Sequence, residues 1–382
     1  MKYAPRLEID LDKIFHNART LVQRLGCRGI SVTGVTKATL GSADIANELL
    51  RAGVTSLGDS RIGNIESMRR ANVASEMTLI RSPMITQSDR VVKFADVSCN
   101  TEVKVIRQLS VEARKTGRTH RVLLMVELGD LREGIMPDDL IQVVRETLCL
   151  PNIVLEGIGT NLACRSGVSP DVNNMTKLTE LANLVETTTG HALKVVSGGN
   201  SANLTWALGD ADIGRINNLR LGEAILLGRE TLKRLPIPEL HTDAITLIAE
   251  VIESKIKPSK PSGDIAQTAF GVQRAGTDRG RVLQTILAIG RQDIDPEGLQ
   301  AAEGIRICGA SSDHLVLEST DHELPIGAEV TFQLNYSALL RAMTSPFVGK
   351  VHKHLEQATI LRQRSLQAAS SSSGKIGLGT FR

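Results

Sequence analysis

Lys37 follows the apolar run SVTGVT and opens the segment KATLG. A lysine at the end of such a strand points into the space above it, with apolar residues beneath. Desolvation there lowers its pKa. The neutral amine that results can attack an aldehyde and form a Schiff base. The alternative is a lysine that snorkels at a strand end. Further along, Ser197-Gly198-Gly199-Asn200-Ser201 makes a glycine-rich turn after another apolar run. Gly222 and Glu223 follow a third run, in NNLRLGEA. Such turns present backbone N–H groups to a phosphate, or need glycine only for their backbone angles. Arg220 stands at the end of that third run and, if buried, needs an acceptor. A pyridine nitrogen would serve, and a salt bridge to Asp59 or Glu223 is the alternative. Asp59, Ser60 and Arg61, then Glu127 and Arg132 in MVELGDLREG, then Thr160 and Asn161 in GIGTNLAC, complete a polar set at the ends of apolar runs.

Other chemistries lack their residues. There is no G-x-S-x-G for a nucleophilic serine, no P-loop, and no G-x-G-x-x-G after a strand. The five cysteines (Cys27, Cys99, Cys149, Cys164 and Cys308) are odd in number, widely spaced and without a C-x-x-C. Reduced thiols are expected rather than a disulfide framework or a zinc site. The histidines are scattered. His352 and His354, in VHKHLEQ, are expected on a solvated helix face, and no metal site is expected.

The elements that must position the polar set recur along the chain. RLEID at 6–10 alternates as a strand does, and LDKIFHNARTLVQRLG has helical spacing closed by Gly26. Short apolar runs follow at 30–36, 54–58, 77–81, 95–98, 121–126, 153–158, 193–196 and 212–219. Amphipathic stretches such as DIANELLRAG and DLIQVVRETL lie between most of them. Eight strand–helix units of this length fit a (β/α)8 TIM barrel, whose chemistry sits at the C-terminal ends of its strands. A doubly wound open sheet is the alternative. After the break at PIPEL, strands are expected at 242–255, 281–290, 304–309, 314–318 and 329–334, with a helix at 336–345. The expected organisation is a barrel over 1–235, an all-β domain over 236–365 and a disordered Ser/Gly-rich tail over 366–382, with residues 1–10 open to pairing with the β domain.

Composition agrees with a globular chain. Of 382 residues, 41% are hydrophobic and 23% charged, and the formal net charge is +3. So small an excess argues against a nucleic-acid or membrane-surface binder. Aromatic residues are 2%, too few for a base-stacking platform. No apolar run approaches membrane-spanning length. The first residues carry no apolar signal core, so a cytoplasmic location is expected.

The segments LEIDLDKIFHNARTL, VTGVTKATLG, GDLREGI, GIGTNLAC, SGGNSANL, INNLRLGEAILLGRE, AIGRQD, GASSDHLVLE and NYSALLRAMTSP together resemble the alanine racemase-fold family of pyridoxal 5'-phosphate (PLP) enzymes (PLP fold type III), its ornithine racemase-like branch above all. The resemblance spans residues 6–350. It implies a PLP barrel with a C-terminal β domain and a head-to-tail homodimer in which each β domain completes the partner's site. It implies that Lys37 is the Schiff-base lysine, that Arg132 lies near the PLP phenolic oxygen and that Arg220 meets the pyridine nitrogen. Asn200, Ser201, Gly222 and Glu223 would cradle the phosphate. An arginine cannot readily give up a proton, so the ring nitrogen would stay unprotonated, which suits simple proton removal and return at Cα.

The chain departs from the family at one place. Where alanine racemases carry a catalytic tyrosine in the β domain, AIGRQD places Arg291, and the chain's two tyrosines are Tyr3 and Tyr336. Candidates for the second base are Asp313, His314, Tyr336 and Asp293. Arg291 would clamp a substrate carboxylate, with Ser312 a further substrate contact. Asp293 and Asp313 could pair with a cationic side chain, so ornithine or another basic amino acid is the expected substrate. The main alternative is a lyase of the same fold, a D-amino-acid aldolase or dehydratase, which GASSDHLVLE also resembles. Asn335, Tyr336 and Ser337 stand where such lyases complete a metal site. A further alternative is a non-catalytic PLP-homeostasis protein, but such proteins resemble a bare barrel.

Overall fold

The computed structural model describes residues 3–271, 277–319 and 323–354. Strand β1 (Arg6–Asp10) leads into helix α1 (Leu11–Gly26). Asp10 caps that helix by accepting from the Lys13 N–H at 3.0 Å. Its apolar stripe of Leu11, Ile14, Ala18, Leu21 and Leu25 is buried.

Eight parallel strands then close into a barrel: β2 (Ser31–Val35), β3 (Ser56–Asp59), β4 (Met77–Leu79), β5 (Val97–Asn100), β6 (His120–Met125), β7 (Ile153–Gly159), β8 (Val195–Ser197) and β9 (Asn218–Leu221). Helices α2 (Ala43–Arg51), α3 (Ile62–Arg70), α4 (Ser88–Phe94), α5 (Val103–Lys115), α6 (Leu140–Leu148) and α7 (Val172–Thr189) run between successive strands. The short α8 (Leu204–Ala207) and α9 (Glu223–Leu227) follow the last two. The strands bury both faces, which is why they read as continuous apolar runs rather than alternating ones. The chain is thus a TIM barrel, and the open-sheet alternative is excluded.

The second sheet is antiparallel for the most part. It contains β10 (Ile245–Pro258), β11 (Arg281–Leu287), β12 (Leu299–Gln300), β13 (Ile305–Ala310), β14 (Leu315–Ser319) and β15 (Glu329–Leu334) in the order β12-β15-β10-β11-β14-β13. Helix α10 (Tyr336–Thr344) and strand β16 (Gly349–Lys353) follow. Strand β1 joins this sheet, antiparallel to β10 and parallel to β16.

Two expectations are corrected. The run 212–219 was expected as the eighth barrel strand, but the strand begins only at Asn218. Residues 210–217 form a turn in which the Gly214 N–H donates to Asp212 Oδ1 at 2.9 Å. The shift puts Arg220 inside the strand. His352, expected on a helix, lies on strand β16, where pairing with β1 satisfies its backbone. Its Nδ1 lies 2.6 Å from Asp44 Oδ2, and His354 Nδ1 lies 3.6 Å from Asp12 Oδ1. Residues 355–382, which include the expected tail, lie outside the described residues.

Candidate active site

A cavity of about 450 Å³ opens at the C-terminal ends of the barrel strands. Lys37, Arg132, Asn200, Ser201, Arg220, Gly222, Glu223 and Tyr336 all line it. The barrel brings the first seven together because strand ends and βα loops distant in sequence converge at one rim, and Tyr336 reaches it from α10, after β15 of the second sheet.

Lys37 opens a tight turn directly after β2. The turn is fixed from below by Asp59, which is buried and accepts from Thr36 Oγ1 at 2.9 Å, the Arg61 N–H at 2.8 Å and Asn64 Nδ2 at 3.0 Å. Burial pushes the Lys37 ammonium below the ordinary lysine range; Arg132 and Arg220 act in the same direction, while Cys164 and Asp59 oppose it. The amine has no hydrogen-bond or ion-pair partner among the described residues. Its Nζ lies 5.8 Å from the centroid of the Tyr336 ring. Burial raises the Tyr336 phenol to about 12. Tyr336 stands at the start of α10, which Asn335 caps by accepting from the Ala338 N–H at 2.9 Å.

Arg220 is 6% exposed. Its guanidinium donates to Ser197 Oγ, to the Thr160 carbonyl at 2.6 Å and to Asn161 Oδ1 at 3.4 Å. All three acceptors are neutral. The salt bridge to Asp59 or Glu223 does not form, because Asp59 is occupied beneath Lys37 and Glu223 pairs with Arg234. Asn161 Nδ2 is buried with no acceptor.

The glycine-rich turn is set by close packing. A Cβ on Gly199, whose φ is +144°, would lie 2.1 Å from Asn203 Oδ1. Asn200 Nδ2 donates to Asn161 Oδ1 at 3.1 Å and to the Leu162 carbonyl at 2.8 Å. Ser201 Oγ accepts from the Ala224 N–H at 3.2 Å, which ties the loop after β8 to the loop after β9.

Arg132 donates to both carboxylate oxygens of Glu133 and, through Nη1, to Cys164 Sγ at 2.6 Å. Glu133 and Cys164, with Arg81 and Arg234, are lining residues to which sequence reasoning gave no role. Glu133 and Cys164 did lie inside the GDLREGI and GIGTNLAC segments.

The β-sheet candidates form a second cluster. The Arg291 N–H donates to the Ser311 carbonyl and the Gln292 N–H to the Ser312 carbonyl, both at 2.9 Å, joining the two turns. Arg291 pairs with Glu297 at 2.5 Å. Asp293 accepts from Ser345 Oγ at 2.5 Å. Asp313 accepts from Ser312 Oγ at 3.1 Å and lies 3.0 Å from His314 Nδ1. None of these five (Arg291, Asp293, Ser312, Asp313 and His314) is among the described residues that line the cavity. Among the described residues, no three His, Cys, Asp or Glu side chains converge as a metal set would. No helix among them is long and apolar enough to cross a membrane.

This donor set suits PLP. The cavity lies in the size range of small-cofactor pockets. It presents an unpartnered buried amine, a buried cation held by neutral oxygens, an orphaned amide donor and two loops joined at a serine. The fold and site therefore define a PLP-binding barrel with an attached β sheet. Residues 9–230 match the family model for the alanine racemase N-terminal domain. The lysine racemase of Thermotoga maritima is 38% identical over 91% of this chain and 98% of its own length. The ornithine racemase of Acetoanaerobium sticklandii is 36% identical over 91% and 99%. In structure, the alanine racemase of Streptomyces lavendulae superposes with a TM-score of 0.72 at 19% identity, over 93% of this chain and 99% of that one. The chain belongs to the alanine racemase family.

Proposed function

We propose that the protein is a PLP-dependent racemase that interconverts the enantiomers of a basic amino acid, ornithine or lysine. The observation that carries the reading is the pairing of a buried, unpartnered Lys37 amine with a buried Arg220 that meets only neutral oxygens. The substrate class is supported by two relatives, matched over nearly their whole length, that are named for lysine and ornithine. The lyase and carrier alternatives have no comparable support.

Lys37 would hold the cofactor's aldehyde carbon, Arg220 its ring nitrogen, Arg132 its phenolic oxygen, and Asn200, Ser201, Gly222 and Glu223 its phosphate. When bound, PLP supplies an electron sink that makes the substrate Cα–H acidic. Burial favours the neutral form of Lys37 Nζ, and that atom would take the Cα proton on one face and return it. Tyr336, whose phenol burial keeps protonated, would donate a proton beside Lys37. In a head-to-tail dimer the cluster of Arg291, Asp293, Ser312 and Asp313 would face the partner's cavity. There Asp313 would act as a base, and Arg291, Asp293 and Ser312 would orient substrate. A cytoplasmic location fits this role. The barrel-forming part is assigned to residues 1–235 and the β domain to 236–365, with β1 contributed to the latter's sheet.

The test is incubation of the PLP-supplied protein with single amino-acid enantiomers in deuterated water. Loss of the Cα–H signal with appearance of the opposite enantiomer is expected for ornithine or lysine and should vanish in Lys37→Ala. Inversion of alanine alone would keep the chemistry and refute the substrate. Cleavage or deamination without inversion would refute the racemase.

A further inference from the structure

Five Lys and Arg side chains line the cavity, with two carboxylates among the described residues, Glu133 and Glu223. The cation excess suits a phosphate and an α-carboxylate. It leaves few groups for a positively charged substrate side chain. Glu223 opens α9 beside Gly222 and is held by Arg234. Glu133 is different. Its partner is its own neighbour, Arg132, and that guanidinium has a second acceptor in Cys164 Sγ at 2.6 Å. Nη1 meets Cys164 while Nε and Nη2 meet Glu133, so an anionic group in the cavity competes with Glu133 for those two nitrogens. A half-buried carboxylate is then left without a cation, which is costly, and an ammonium entering the cavity would replace the lost charge.

The geometry points to Glu133 as the group that receives the distal ammonium of a basic amino acid, with Arg132 holding that place until cofactor and substrate draw it away. The assignment rests on the racemase reading above and names a substrate contact for it on this chain.

The loop is built to hold the carboxylate in place. Glu127 Oε1 accepts from the Gly129 N–H at 2.6 Å and the Leu131 N–H at 3.0 Å. Asp130 accepts from the N–H groups of Arg165 at 2.8 Å and Ser166 at 3.1 Å, joining this loop to the one after β7. A Cβ on Gly134 would lie 2.5 Å from the Glu127 nitrogen, so the chain next to Glu133 packs directly on that anchor. A preformed acceptor spends little ordering entropy on binding.

The experiment compares wild type with Glu133→Gln, both supplied with PLP, on ornithine and on its uncharged counterpart norvaline. A lost charge-assisted contact should raise the ornithine KM about tenfold or more. It should change kcat by less than about threefold and leave norvaline kcat/KM unchanged or higher. Glu133→Asp should recover part of the ornithine KM. Calorimetric binding in a Lys37→Ala background, without turnover, should show the same selective loss of ornithine affinity. An ornithine KM and affinity unchanged in Glu133→Gln would overturn the assignment alone, as would equal losses on ornithine and norvaline. A wild-type enzyme that racemises alanine but not ornithine would overturn the basic-substrate reading and the assignment with it.

Discussion

Arg6 and Arg220 are both buried, at 4% and 6% exposure, yet they are satisfied in opposite ways. Arg6, on β1, donates to two carboxylates, at 3.0 Å to Glu8 and 2.5 Å to Glu329. Those partners hold its guanidinium well above the ordinary arginine range. Arg220, on β9, meets a hydroxyl, a backbone carbonyl and an amide oxygen, and burial pushes it below that range. Arg6 ties the first strand to the β sheet. Its charge is neutralised within the fold, so its contribution is to stability. Arg220 carries a desolvation cost that the fold does not offset with a carboxylate. Such strain collects where a ligand completes the arrangement.

The contrast can be broken at several points. The largest effect falls at the cavity. Lys37→Ala should lower racemisation by about 10³-fold or more, because both the covalent attachment and a proton carrier disappear. The visible absorption band of the Lys37–PLP linkage should vanish with it. Arg220→Gln should cost about 10²-fold in kcat/KM, the scale of one preorganised electrostatic contact. The melting temperature of the cofactor-free protein should hold or rise, since an uncompensated cation is removed. A large drop in that temperature would place Arg220 with Arg6 as a folding residue.

Arg6→Gln should do the reverse. Removing one member of a buried ion cluster costs about 3 kcal/mol, and partial exposure of Glu329 reduces that somewhat. Denaturant melts should show the loss, while kcat of the folded enzyme stays within about twofold.

The narrowest effect, confined to acid pH, concerns His120 at the far end of the barrel. It is 1% exposed and hydrogen-bonded to Ser98 Oγ at 2.8 Å, and burial lowers its pKa to about 4. The unfolded imidazole titrates near 6.5. Above pH 6.5 neither state is protonated and no cost arises. As pH falls from 6.5 to 4 the unfolded chain takes up the proton first, so stability drops, by about 3 kcal/mol once pH is below both values. Melts at pH 7 and pH 4 should show a smaller difference in His120→Gln than in wild type.

The barrel was legible because most strands are short apolar runs followed by an amphipathic helix. Lys37, the glycine-rich turn and Arg220 were legible because they interrupt that pattern at strand ends. The eighth strand was misplaced because its apolar pattern starts several residues early, inside a turn fixed by Asp212. Strand β16 was missed because GKVHK reads as polar, and its order comes from pairing with β1, some 340 residues away. The acceptors of Arg220 could not be read either. Ser197, Thr160 and Asn161 belong to different strand ends that meet only on closure.

The amino-acid sequence by itself determined the alternation of strands and helices, the change to strands after residue 236, and the residue types able to bind an aldehyde, a ring nitrogen and a phosphate. These follow from local periodicity, backbone freedom at glycine and side-chain chemistry, all properties of short segments. Only the tertiary structure decided that Lys37 has no ion partner, that Arg220 meets neutral oxygens, and that Arg132 and Glu133 pair in the cavity while Arg291 and Asp313 stand outside it. Each of these depends on desolvation and on distances between loops far apart in the chain, and both are fixed only when the barrel closes.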